Sequence, residues 1–152
     1  MNDEGSPQTD LTDEVAAFMV QYDLFARRLG IRLLELRPGY SRAEMALTPS
    51  MVNGLGLPHG GAIFALADFA FAAACNSHGR AAVALSMDIH FLASPSPEAR
   101  LEAESLEIRL GRRTGLYRIT ITDEEGSPVA EAHGMAYRKR NHFLEEASAQ
   151  AE

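Results

Sequence analysis

The chain has one cysteine, Cys75, so no disulfide can form within it, and the reading that fits is a reducing, cytoplasmic setting. It has no basic excess. A formal charge of -7 argues against nucleic acid or an anionic membrane as its main partner. No apolar run reaches the roughly 20 residues that a bilayer span needs, and no segment joins a basic start, an apolar stretch and a small-residue cleavage site. The five histidines lack His-x-His and His-x-x-x-His spacing, so no metal is expected. No serine sits in a Gly-x-Ser-x-Gly frame, which leaves a serine hydrolase without support. Linkers, repeats and low-complexity tracts are also missing. The 152 residues therefore read as one domain from about Leu11 to Phe143, with polar ends at 1–10 and 144–152 that are expected to fray.

Against these absences stands one charge in an apolar setting. Asp68 is the only charged residue between Ala62 and Cys75, a stretch rich in alanine and with a single β-branched residue, Ile63. That composition predicts a helix, and apolar residues on every side predict that it is buried all round as the centre of the core. A carboxylate there loses hydration unless donors or charges compensate it, and otherwise its pKa rises. Such a cost points to a task. The alternative is a structural acceptor satisfied by backbone amides or by an arginine across an interface.

Around this helix the pattern is mostly of strands. Val15, Phe18, Met19, Tyr22 and Phe25 mark one side of a first helix, capped by Thr12 or Asp10 and stopped at Gly30. Ile31 to Arg37 and Tyr40 to Thr48 read as strands about a Pro38-Gly39 turn. Beyond the alanine-rich helix, Ala81, Val83, Leu85, Met87, Ile89 and Phe91 alternate with Ser86, Asp88 and His90, a period-two signal. Leu101 to Leu110, Thr114 to Asp123 and Val129 to Arg138 supply three more strands. The expected class is α+β, a mostly antiparallel sheet of about six strands curled around one long helix. One helix cannot cover both faces and the edges of such a sheet, so oligomerisation is expected.

Asn53-Gly54, His59-Gly60-Gly61, Phe64, Leu66-Ala67-Asp68, Ala70-Phe71-Ala72 and Ala74-Cys75-Asn76-Ser77, followed by Asp88 to Leu92 and Gly111-Arg112-Arg113-Thr114-Gly115-x-Tyr117, form one combined pattern. It resembles the hotdog-fold acyl-CoA thioesterases of the phenylacetic-acid degradation (PaaI) type over about residues 22 to 140. The resemblance implies hydrolysis of an aryl- or medium-chain acyl-CoA, phenylacetyl-CoA being the model, without a cofactor beyond the coenzyme A of the substrate. It makes Asp68 the nucleophile or general base and the Gly60 amide the group that polarises the thioester carbonyl. His59 and Asn53 would assist, and Asn53 would lie at the mouth of the site.

Physical reasoning supports parts of this. A helix N-terminus offers free N–H groups and the positive end of the dipole to a developing oxyanion, and Gly60 and Gly61 admit a ligand close to the backbone. The same glycines also suit a plain tight turn, and Asn53 a plain turn residue. Eight helical residues, about 12 Å of rise, separate Gly60 from Asp68, too far for both to act on one carbonyl from one chain. The site is therefore expected to be shared in a homodimer, with a homotetramer as the family tendency. Phosphates call for arginines. Arg109, Arg112 and Arg113 with Gly111 form one basic turn and Arg138, Lys139 and Arg140 another, and the resemblance implies CoA contacts at the first of them and along the segment after Phe91. Solvated turn arginines are the plainer reading of each. Cys75 reads as an inert small hydrophobe and Ser86 as a weak water-holding candidate. Two other functions stay open, an acyl-thioester hydratase or dehydratase and a non-catalytic acyl-CoA-binding protein.

Overall fold

In a computed structural model that describes residues 11–150, the elements run α1 (Leu11–Tyr22), α2 (Leu24–Leu29), β1 (Arg32–Arg37), β2 (Tyr40–Ala46), a 3-10 turn (Pro49–Met51), α3 (Gly60–Asn76), β3 (Arg80–Phe91), β4 (Arg100–Leu110), β5 (Thr114–Thr122), β6 (Pro128–His142) and α4 (Phe143–Gln150). The six strands form one antiparallel sheet in the order β1-β2-β4-β5-β6-β3. Helix α3 links β2, near one edge, to β3 at the other, so it must cross the sheet's inner face.

Small residues let helix and sheet approach. Ala67, Ala70 and Ala74 on α3 are wholly buried, and so are Ala43 on β2, Ala103 on β4 and Ala132 on β6. Larger side chains fill the space around this seam: Leu66, Met45, Leu101, Ile119 and Ile121 are fully buried, each worth about 1.5–3 kcal/mol of transfer free energy. Phe71 meets Tyr117 edge to face with ring centroids 5.6 Å apart. Gly134 makes room for that pair, because a Cβ there would stand 2.7 Å from the Phe71 ring.

Both ends of α3 are tied down. At the start, the His59 side chain caps the helix. At the end, the Asn76 amide donates to the carbonyls of Ala72 (2.9 Å) and Ala82 (3.1 Å) and its oxygen accepts from the Ala82 N–H (2.8 Å), which fixes where β3 begins. Ser77 Oγ accepts from Gly39 N–H at 2.8 Å and donates to Ala74 O at 2.6 Å, joining the helix end to the β1–β2 turn.

Three expectations change. The first helix is two: Asp23 interrupts it, and the Asp23 carboxylate caps α2 by accepting from Ala26 N–H at 3.0 Å. The tail read as frayed is, over Phe143–Gln150, a helix held by an edge contact between Phe143 and Phe18, centroids 5.7 Å apart, and by the Lys139–Glu146 ion pair. The rest of that tail and the expected N-terminal fraying at 1–10 lie outside the described residues. Finally, α3 is not buried all round. Gly61 and Asp68 are exposed and Phe64, Ala65 and Ala72 half-buried, a stripe at helical spacing. The sheet packs against one side of the helix only, and α1 and α2 leave this strip open.

Candidate active site

The loop before α3 is built to present the helix N-terminus. Val52 and Pro58 pair across it, and the Asn53 side-chain oxygen accepts from the N–H groups of Leu55 (2.9 Å) and Leu57 (3.1 Å). Asn53 thus braces the loop and keeps only its NH2 group for other work. His59 N–H donates to Met51 O at 2.7 Å, and His59 Nδ1 accepts from Gly61 N–H at 2.8 Å. An accepting Nδ1 places the proton of the neutral ring on Nε2. Gly61 N–H is thereby satisfied, whereas Gly60 N–H has no partner among the described residues. A Cβ on Gly60 would lie 3.1 Å from the Phe91 ring, so glycine is what lets Phe91 lie over this amide. Asn53, Leu57, Gly60, Phe91 and Leu92 line a groove of about 440 Å³ here.

Asp68 opens into a different groove, of about 390 Å³, shared with Asp23, Phe25, Ile31, Gly61 and Phe64. Asp68 is exposed as a residue in the single chain, yet the walls of the groove are largely apolar. Loss of hydration first, and the charge of Asp23 second, push its pKa above the ordinary value of 3.8. No hydrogen bond or ion pair engages Asp68 among the described residues, so within one chain no backbone amide satisfies it as a structural acceptor. Gly60 and Asp68 thus share a helix but not a groove.

The other nucleophile candidates are weak. Burial, with the Asp68 charge as a smaller cause, pushes the Cys75 thiol up to about 12, so almost none is thiolate near neutrality. Ser86 sits exposed on β3 at a register shift against β6, away from the lining of either groove. Among the described residues no group of three or more His, Cys, Asp or Glu could hold a metal ion.

The two expected basic patches are one. Arg112 and Arg113, in the β4–β5 turn, join Arg138 and Arg140 of β6 and Arg80 of β3 around a pocket of about 350 Å³. Arg80 organises it: its guanidinium donates to Lys139 O, to Arg112 O at 2.9 Å and to Arg138 O at 3.4 Å. Arg138 Nη1 donates to Gly111 O at 2.8 Å, which gives Gly111 a part in holding the turn. These bonds occupy Arg80 and Arg138 with carbonyls and leave Arg112, Arg113 and Arg140 free of carboxylate partners among the described residues. Two members of the predicted patches fall out. Arg109, which follows the register shift after Glu107, does not line the pocket, and Lys139 is paired with Glu146. Arg80 was not singled out in the sequence because only the fold brings it to the turn.

A family model described as "Thioesterase superfamily" matches residues 55–130. The acyl-coenzyme A thioesterase PaaI of Escherichia coli is 38% identical over 120 residues, which cover 79% of this chain and 86% of that protein. The chain belongs to the thioesterase superfamily. The solved structure of the Escherichia coli PaaI protein superposes on this thioesterase with a TM-score of 0.84 at 36% identity, covering 87% of this chain and 96% of that one. A Streptococcus mutans structure described as bound to acetyl CoA superposes with a TM-score of 0.69 at 25% identity, covering 72% and 88%. The hotdog architecture expected from the sequence is therefore the observed one, and the enzyme is a thioester hydrolase. No helix among its described residues is long and apolar enough to cross a membrane.

Proposed function

We propose that this thioesterase hydrolyses an aryl- or medium-chain acyl-CoA as a homodimer, with Asp68 of one protomer and Gly60 of its partner acting on the same carbonyl. The observation that carries the reading is the division of labour along α3: a free N–H at the helix start and a carboxylate two turns on, each in its own groove. Antiparallel pairing of two α3 helices about Phe64 sets Gly60 of one chain against Asp68 of the other. The same pairing sets the unpaired edge of β3 beside its copy, and Val83 and Leu85, exposed apolar residues at 45% and 62%, lie on that strand. A further pairing of two dimers would give the tetramer.

In this arrangement the Asp68 carboxylate takes a proton from water, and the hydroxide adds to the thioester carbonyl carbon. The oxyanion that forms meets Gly60 N–H at the positive end of α3. Collapse of the intermediate breaks the C–S bond, and CoA leaves as thiolate and is protonated. Attack by Asp68 itself would pass through an anhydride and use the same two groups. His59, whose Nδ1 is committed to Gly61, assists by holding the helix start. Asn53 assists through the loop it braces and the NH2 group it leaves free, and Phe91 walls the thioester end. CoA phosphates suit the arginine pocket, since Arg112, Arg113 and Arg140 can make bidentate bonds. Antiparallel β3 edges would bring this pocket, at the Arg80 end of one strand, alongside the Phe91 end of the other. No cofactor enters these steps. The name of the Escherichia coli relative and the acetyl CoA of the Streptococcus mutans structure support the substrate class.

The test is release of free CoA from a panel of acyl-CoA esters that includes phenylacetyl-CoA. Turnover by the parent and none above background by Asp68→Asn, with the fold intact by circular dichroism, is the expected result. An Asp68→Asn protein as fast as the parent across the panel would overturn the assignment.

A further inference from the structure

The sequence treats Asp23 as one polar residue of a first helix, but the fold makes it the break between α1 and α2 and turns it toward Asp68. It lines the Asp68 groove with Phe25, Ile31 and Phe64, and it also borders a second, largely apolar groove with Phe18, Tyr22 and Ala72. One carboxylate oxygen is fixed by the Ala26 N–H at 3.0 Å, and the other has no partner among the described residues. The cap needs an acceptor and not a charge, since asparagine and serine cap as well as aspartate. The helical cap therefore explains one oxygen of Asp23 and leaves the charge unexplained.

We infer that Asp23 is a positioning residue of the Asp68 site, its free oxygen facing the groove in which Asp68 activates water. This rests on Asp68 being the base of the proposed reaction. Two carboxylates around one groove cannot both be comfortably ionised, so Asp23 makes Asp68 a stronger base and offers the attacking water a second acceptor. The upward displacement of the Asp68 pKa, in which Asp23 follows desolvation as a cause, agrees with this. Among the described residues no cation lines the groove beside the pair. On α2, Arg27 Nη1 donates to Gln21 O at 3.2 Å, and on β1, Arg32 pairs with Glu44 at 3.1 Å. Arg28 does not line the groove either, and the remaining lining, from α2, α3 and Ile31 between α2 and β1, is uncharged. Cys75, the other titratable group that responds to Asp68, is neutral at working pH.

The experiment is the pH dependence of kcat/KM for the parent, Asp23→Asn and Asp23→Ser, using the acyl-CoA that the parent hydrolyses fastest. Both substitutions keep the cap, and thermal unfolding checks that they do. The expected result is an acid limb displaced to lower pH in both variants, with a plateau lower by a few-fold and most of the loss in kcat. An acid limb that coincides with the parent's, or moves to higher pH, in variants that unfold at the parent temperature overturns the inference. Asp68→Asn assayed in parallel separates the two levels. If it is inactive while the limbs coincide, only the role of Asp23 fails; if it keeps turnover, the reading of Asp68 itself fails.

Discussion

At the residue scale, Asp68 is held in a state the folded chain disfavours. Its folded pKa lies above the ordinary 3.8, so the native protein binds its proton more tightly than the unfolded chain does. The stability this group contributes is complete below that ordinary value and lost as pH rises through the folded pKa. Near neutrality the ionised side chain therefore weakens the fold. Asp68→Asn should accordingly unfold at a higher urea concentration than the parent at pH 7, with the gap closing as pH falls through the folded pKa and gone below about 3.8. A variant less stable than the parent at pH 7 would mean that the folded protein favours the charged form. The position of this charge was legible in the sequence, since no other residue from Ala62 to Cys75 is ionisable except Cys75 itself. Its surroundings were not: alanine and phenylalanine on a helix face read alike whether the face meets a sheet, a groove or another chain.

At the scale of elements, the strands were legible almost to their ends. Period-two alternation is enforced wherever one sheet face is buried; β5 follows it along its length and β4 up to Ser105, whereas β3 alternates in sequence but leaves Val83, Leu85 and Phe91 exposed. The break at Asp23 was not legible, because apolar residues at helical spacing continue from Phe18 and Tyr22 to Phe25 across a single non-helical residue. Nor was the arginine pocket, whose members lie on β3, β6 and the β4–β5 turn and meet only through sheet order. The element junction most exposed to a single change is the α3–β3 corner. Asn76 serves the carbonyls of Ala72 and Ala82 and the N–H of Ala82 with one buried side chain. Asn76→Ala leaves the buried Ala82 groups without this partner, and should cost about 2 kcal/mol. Urea unfolding of the variant measures it. A loss within a few tenths of a kcal/mol of zero would show that β3 is placed by its pairing with β6 alone.

At the scale of the whole molecule, the geometry of one chain explains why the proposed enzyme needs two. Gly60 and Asp68 sit about 12 Å apart along a straight helix, a separation that no side-chain rotation closes. The partition can be tested by mixing two defective proteins. Gly60→Pro removes the amide N–H and keeps the helix start, because proline is at home at the first helical position and His59, at φ -72° and ψ 129°, already has the conformation that a following proline requires; its Cβ, which would meet the Phe91 ring at 3.1 Å, shifts that ring slightly in the variant chain. Asp68→Asn removes the base. Each variant alone should be inactive. After unfolding and refolding together in equal amounts, half of the dimers are mixed, and each mixed dimer holds one site with Gly60 and Asp68 both intact. Activity should return to about a quarter of the parent's per site. If both groups of one site came from the same chain, mixing would restore nothing, since every site would still lack one of them.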